Sequence, residues 1–121
     1  MKRAMMQMYI KGSVEAVGLY ISAFDAKLGC EYRNDDGSYM HAELNAFGQI
    51  LAVSEAADDT VSGNNMQFCF HFEKTEIENV KKAYEILKDG AKIVCSLGPC
   101  SYSQCMFALI DKFGTNWCLF G

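Results

Sequence analysis

The order of the predicted elements constrains the fold of this chain most: strand, helix and three strands, found twice. Ser13 and Thr75 mark the repeat, because each precedes an amphipathic segment and suits a helix N-terminus. They lie about 62 residues apart, at the same point in each half. A four-stranded unit with one helix covers only one face of its sheet, so its other face needs a partner unit or remains as a concave wall. Two such units side by side make an open cup, which is a shape that binds ligands.

Periodicity places the elements. Apolar residues from Val14 to Leu28 recur at helical spacing and predict a first helix that ends at Gly29. Thr75 and Glu78 form a predicted capping box for a second helix that runs to Leu87. The stretch around Pro99 is predicted to be a loop. The predicted strands are 5–11, 30–33, 38–45, 47–55, 66–72, 92–96, 106–111 and 116–120.

The 121 residues are predicted to form a single domain. Its modules span about 1–56 and 65–121, and a polar, glycine-containing linker of about 57–64 joins them.

Composition and charge exclude several functions. Half of the residues are apolar, and 11 basic against 15 acidic residues give a formal net charge of −4. Neither nucleic acid nor an anionic membrane is an expected partner, because no basic patch is present. No apolar run approaches the roughly 20 residues of a membrane span or makes a signal-peptide core. We therefore expect a cytoplasmic protein.

The six cysteines are expected to be reduced. Without a signal peptide, disulfides are not favoured, and no C-x-x-C spacing indicates a zinc site. Most of them lie in strand-like apolar runs, where cysteine behaves as a small apolar side chain.

Several motifs together resemble the PhnB-like branch of the vicinal oxygen chelate (glyoxalase/bleomycin resistance/dioxygenase) superfamily. Residues 111–117 are similar to its closing D-[PK]-F-G-x-x-W segment, with Tyr102-Ser103 at the place where the family often has Trp-Ser. Residues 39–44 resemble its middle [IM]-x-H-A-x-L strand, and residues 12–20 its first G-x-x-E-A-x-x-F-Y helix, shortened by one residue. The match covers nearly the whole chain, and its strength is in the order and spacing of the motifs.

The resemblance implies an α+β fold, in which paired βαβββ modules form a cupped eight-stranded mixed sheet with helices on the outer face. It also implies a homodimer. In metal-dependent members, the ligands come from the first strand of each half, the last strand, and the middle of the first half. In this sequence those positions are Gln7 (or Met5), Gln67, Cys118 and Glu43.

Strand parity gives an independent view of the site, because successive side chains point to opposite faces. Gln7 shares a face with Tyr9, and His41 shares one with Glu43. Gln67 and Cys69 share the face opposite the phenylalanines of their strand, which should pack on a helix. The predicted ligand-binding residues are Gln7, Tyr9, His41, Glu43, Gln67 and Cys118.

Amide and thiol donors are poor ligands for magnesium or manganese, so we predict no metal and no cofactor. His41 beside Glu43 could act as a base, contact a ligand or make a purely structural hydrogen bond. Three functions stay open. The first is a metal-independent small-molecule binder of the bleomycin-resistance type. The second is a metal-dependent lyase, isomerase or dioxygenase. The third is a protein whose dimer surface is its purpose. The sequence does not identify the ligand or decide whether a reaction is catalysed.

Overall fold

The computed structural model describes residues 1–121, which divide into two compact units, Met1–Val61 and Ser62–Gly121. Each unit has one helix and a four-stranded sheet. In the first unit, the elements are β1 (Met6–Ile10), α1 (Ser13–Phe24), β2 (Lys27–Arg33), β3 (Tyr39–Ala46) and β4 (Gln49–Glu55). In the second unit, they are β5 (Phe68–His71), α2 (Ile77–Leu87), β6 (Lys92–Cys100), β7 (Ser103–Ile110) and β8 (Asn116–Phe120).

The two sheets have the same topology. Their strand orders are β1-β4-β3-β2 and β5-β8-β7-β6. In each sheet the first and last strands of the unit pair in parallel, and the other neighbours are antiparallel. The predicted α+β class with two βαβββ modules is therefore confirmed. Neither helix is both long and apolar enough to cross a membrane.

The first helix is shorter than the sequence predicts. It ends at Phe24, because Asp25 adopts the left-handed conformation (φ 48°) and closes the last turn. Leu28, which the periodicity predicts to lie on the buried stripe, belongs to β2 and is exposed. The sequence gives little indication that the helix ends at Asp25, since aspartate adopts the left-handed conformation much less often than glycine.

The N-terminus of α1 is capped from β4 and not by Ser13. The carboxylate of Glu55 accepts the backbone N–H groups of Gly12 (3.1 Å) and Ser13 (3.0 Å). The hydrogen bond from the Ser13 N–H is the main cause that holds the pKa of Glu55 below its ordinary value. The Ser13 hydroxyl is instead buried and accepts the N–H of Tyr39 at 2.9 Å. The predicted Ser13 cap is thus wrong, because a distant carboxylate occupies that role.

The second helix also starts differently. A 3-10 turn at Lys74–Glu76 precedes α2, and the Glu76 carboxylate accepts the N–H of Glu73 at 2.9 Å. The predicted pairing of Thr75 with Glu78 is therefore displaced by two residues. The predicted buried stripe is largely confirmed, since Val80, Ala83 and Leu87 are buried.

The predicted loop around Pro99 is wrong, because that residue belongs to β6. β6 is the edge strand of its sheet and pairs with β7 through several register shifts. An irregular edge strand tolerates proline, since the missing N–H removes no essential ladder bond.

Candidate ligand site on the sheet faces opposite the helices

Strand pairing assigns the side chains of the first sheet to two faces. Glu55 caps α1, so the face it shares with Leu51 and Val53 is the face that α1 covers. On the other face, Ala52 lies between Gln7 of β1 and Glu43 of β3. The next row of that face pairs Tyr9 with Ser54. The face opposite α1 therefore carries the four residues predicted in this unit: Gln7, Tyr9, His41 and Glu43.

An ion-pair network dominates this face. Arg3 binds the Glu43 carboxylate with both ends of its guanidinium, Nη1 to Oε1 at 2.6 Å and Nη2 to Oε2 at 2.9 Å. His41 Nε2 lies 2.8 Å from Oε2 of the same carboxylate. Glu43 is only 8% exposed, so its charge depends on these partners.

The hydrogen bond from Arg3, and after it the contact with His41, lowers the pKa of Glu43 to about 2. Glu43 is consequently an ionised hydrogen-bond acceptor at neutral pH and has no proton to donate. The geometry allows it to orient a ligand or His41, but not to act as a general acid.

The remaining polar groups of this face are amide and hydroxyl groups. Gln7 Nε2 donates to Ser54 Oγ at 3.0 Å and to the carbonyl oxygen of Met8 at 3.2 Å. The Tyr9 ring is exposed, with 63% of its surface accessible. Gln7 and Tyr9 thus share a face with His41 and Glu43, but they do not join the ion-pair network directly.

The second sheet places the other predicted residues on the face opposite α2. Tyr84 of α2 packs on Phe107 with ring centroids 5.2 Å apart, which identifies the covered face. Cys69 pairs with Cys118, and Cys118 pairs with Ala108, on the opposite face. The predicted position of the phenylalanine face on the helix side is confirmed, since Phe70 pairs with Leu119, and Leu119 pairs with the residue that Tyr84 contacts, Phe107.

Gln67 and Cys118 of this sheet differ in exposure. Gln67 is exposed; its Nε2 donates to Asn116 Oδ1 at 3.3 Å, and its Oε1 accepts the Cys69 thiol at 3.5 Å. Cys118 is 7% exposed, and burial raises the pKa of its thiol to about 11. The Cys118 sulfur is therefore a neutral thiol at neutral pH.

The donors at the positions that the resemblance implies for a metal do not fit a hard divalent cation. Gln7 and Gln67 offer amides, and Met5, the alternative to Gln7, offers a thioether. Cys118 is a neutral thiol, and both oxygens of Glu43 are bound by Arg3. Magnesium and manganese prefer carboxylate and water oxygens, so these four positions are a poor ligand set.

Two polar residues of the first sheet face were not predicted from the sequence. Arg3 precedes the first predicted strand, and its ion pair spans 40 residues, so no local pattern indicated it. Ser54 does have a signal, because alternation along β4 places it on the face away from Leu51 and Val53.

Two surface depressions lie elsewhere. One, of about 330 Å³ in the first unit, is lined by Phe24 and Phe47; the other, of about 500 Å³ in the second unit, is lined by His71 and Tyr102. None of the six predicted ligand-binding residues lines either depression.

The Arg3–Glu43 ion pair predicts a pH-dependent stability. The folded-state pKa of Glu43 lies below the ordinary 4.5, so the pair contributes stability above about pH 4.5 that is lost as the pH falls towards about 2. Arg3→Gln should make the protein less stable than wild type above pH 4.5, and the difference should disappear towards pH 2. Urea unfolding at a series of pH values measures this.

A site-specific readout and a matched control complete that test. Carboxyl-carbon NMR should show the pKa of Glu43 rising from about 2 towards 4.5 in Arg3→Gln. Lys2→Gln removes the same charge from the neighbouring residue and should leave the pKa of Glu43 unchanged. An unchanged Glu43 titration in Arg3→Gln would show that the ion pair does not hold the carboxylate.

No protein-family model and no curated protein matches the sequence. Solved structures do match. A PhnB protein from Bacillus cereus is 22% identical, with a TM-score of 0.82 over 99% of this chain and 98% of that one. A protein from Pseudomonas aeruginosa is 18% identical, with a TM-score of 0.78 over 99% and 97%. The fosfomycin resistance protein FosX from Listeria monocytogenes is 11% identical, with a TM-score of 0.71 over 98% and 91%. The structural neighbours thus include PhnB-like and FosX proteins of the vicinal oxygen chelate superfamily, and this chain has their fold.

Proposed function

We propose that this protein binds a small organic molecule by hydrogen bonds, as a PhnB-like member of the glyoxalase/bleomycin-resistance superfamily that does not use the superfamily's divalent metal. The observation that carries the proposal is the polar sheet face of the first unit. There an ionised, nearly buried Glu43 is held by Arg3 and His41 beside amide and hydroxyl groups. Preorganised polar groups of this kind fix the orientation of a ligand.

In the first unit, the residues proposed to contact a ligand are Gln7, Tyr9, His41 and Glu43. In the second unit, they are Gln67 and Cys118. These residues offer charged and neutral acceptors, amide donors and a neutral thiol. This set suits a polar organic molecule that carries both donors and acceptors.

Ligand binding without added metal tests the proposal. Native mass spectrometry of gently purified protein should reveal a co-purified small molecule. Calorimetric titration with fosfomycin and bleomycin, in the presence of a chelator, tests two defined probes. For a molecule that binds, Gln7→Leu and Gln67→Leu should each weaken affinity by about tenfold, since each removes hydrogen bonds worth roughly 1 to 1.5 kcal/mol.

Gln104→Leu is the matched control, because Gln104 is an exposed glutamine of β7 outside the proposed set. It should leave the affinity unchanged. A metal-dependent lyase, isomerase or dioxygenase is the alternative function. Binding or turnover that requires manganese or magnesium, and a metal that is lost on Gln67→Leu, would favour that alternative and contradict our proposal.

We also propose that the protein acts as a homodimer in the cytoplasm, as its resemblance to PhnB-like proteins implies. Sedimentation equilibrium at micromolar concentration should give twice the chain mass of 13.5 kDa. A stable species of 13.5 kDa would exclude the dimer.

A further inference from the structure

A β-bulge directs a cysteine onto the polar face of the first sheet. Leu28 pairs with Leu44 and Glu31 pairs with Ala42, so Gly29 and Cys30 of β2 both lie opposite Glu43 alone. Without the extra residue, Cys30 would lie opposite Ala42, on the face that α1 covers. The bulge therefore moves the Cys30 side chain to the face of Glu43, and bulges often direct a side chain in this way at functional sites.

The pairing of β2 with β3 at the bulge brings Cys30 near His41 and Glu43. A Cβ atom on residue 29 would lie 3.4 Å from the backbone oxygen of Glu43, which is van der Waals contact.

The three side chains converge. The Cys30 sulfur, a ring nitrogen of His41 and a carboxylate oxygen of Glu43 all lie within 4.8 Å of one another. In a tetrahedral zinc site, with bonds of about 2.0 to 2.3 Å, neighbouring donor atoms lie roughly 3.3 to 3.7 Å apart. The His41–Glu43 distance of 2.8 Å must open slightly to reach this spacing, and rotation of the side chains can provide that adjustment.

The donor types select the metal. A thiolate, an imidazole and a carboxylate are a mixed sulfur, nitrogen and oxygen set, which favours zinc and cobalt(II) over magnesium, calcium and manganese. Burial decreases from Glu43 through His41 to the exposed Cys30, so a cation can reach the cluster from the Cys30 side. Three protein ligands leave one coordination position for water or another molecule.

We propose that Cys30, His41 and Glu43 form a zinc site in which Zn²⁺ and the Arg3 guanidinium compete for the Glu43 carboxylate. Arg3 is half-exposed, with 47% of its side chain accessible, and can leave without opening the core. On binding, the thiol of Cys30 loses its proton to solvent and Zn²⁺ bonds to the thiolate. The site goes beyond the proposed small-molecule binding, because Cys30 is not among the residues assigned to that ligand.

The test uses a background that removes the other exposed cysteines, Cys69→Ser, Cys95→Ser and Cys100→Ser. In this background, cobalt(II) should produce a thiolate charge-transfer absorption, and zinc should bind with one ion per chain in competition with a chromophoric chelator. Adding Cys30→Ser should abolish the absorption and weaken zinc binding on the order of 100-fold or more, as loss of a direct ligand demands. Arg3→Gln should tighten zinc binding by about tenfold, because it frees the carboxylate.

Circular dichroism should show the same fold in every variant. Zinc binding that persists after Cys30→Ser, or that disappears already in the three-serine background, would overturn the proposal. A weaker affinity in Arg3→Gln would overturn the competition. Gln7→Leu separates the two proposals, since it should weaken the organic ligand and leave the zinc affinity unchanged.

Discussion

Replacing Asp111 with alanine is expected to lower the free energy of unfolding by about 3 kcal/mol. Asp111 is only 4% exposed, and its carboxylate accepts three hydrogen bonds. Oδ1 accepts the backbone N–H groups of Phe113 (2.9 Å) and Thr115 (3.0 Å), and Oδ2 accepts the indole N–H of the fully buried Trp117 at 2.8 Å. Alanine leaves all three donors without this acceptor, and buried donors that lose an acceptor are costly. Chemical denaturation with circular dichroism measures the loss.

Asp111→Asn separates hydrogen bonding from the loss of volume. An amide has one oxygen, so its nitrogen must face either the turn N–H groups or the indole N–H, and each arrangement sets donors against donors. We expect a substantial loss of stability in Asp111→Asn as well. Trp117→Phe removes the indole donor and should therefore cost less stability when combined with Asp111→Asn than in wild type. Equal costs in the two backgrounds would show that the Asp111–Trp117 hydrogen bond does not couple the residues.

The hydrogen bonds that Asp111 accepts also explain why the motif at residues 111–117 can be recognised in the sequence. Residues 111–117 have local reasons for their identities: Asp111 orders the turn, Gly114 adopts a positive φ of 89°, and Trp117 fills the core. A motif made of short-range contacts retains its spacing, and spacing is what a single sequence displays. The same holds for β8, whose predicted bounds are those observed.

The errors in the predicted fold arise where tertiary contacts override local patterns. Ser13 has the right chemistry for a helix cap, but Glu55 reaches the same N–H groups from 42 residues away. The bulge at Gly29 and Cys30 changes which side chains of β2 point to each face of the sheet. The sequence of β2 does not reveal the bulge, because it arises where two residues of β2 lie opposite one residue of β3. Register belongs to a pair of strands, so the sequence of one strand does not determine it.

For the candidate site, the sequence predicted which side chains share a sheet face. Alternation along β1 and β3 placed Gln7, Tyr9, His41 and Glu43 correctly on the face opposite α1, because parity needs only the sequence of each strand. Their contact with a ligand stays a prediction. Arg3 and Cys30 were not assigned to the site, since one depends on a long-range ion pair and the other on the bulge. Arg3 keeps the Glu43 carboxylate ionised, and the Cys30 sulfur lies within 4.8 Å of the His41 and Glu43 donor atoms.

Replacing Phe107 with alanine should destabilise the second unit by about 3 to 5 kcal/mol. Phe107 is fully buried in β7, opposite Leu119 of β8, and packs on Tyr84 of α2. It therefore joins the helix to the centre of the sheet, and truncation leaves a cavity that a rigid four-stranded sheet cannot close. Phe107→Leu keeps most of the volume and should cost clearly less than alanine.

Tyr102→Ala is the matched control for Phe107→Ala. Tyr102 is another aromatic residue of the second unit, but 65% of its surface is exposed, so its removal should change the free energy of unfolding by no more than about 0.5 kcal/mol. Urea unfolding followed by the fluorescence of Trp117, the only tryptophan of the chain, reports on this unit directly. Equal losses in the two alanine variants would show that the aromatic face of the second sheet does not hold α2. A large loss confined to Phe107→Ala would show that burial against α2, and not aromatic character alone, determines how much an aromatic residue stabilises the second unit.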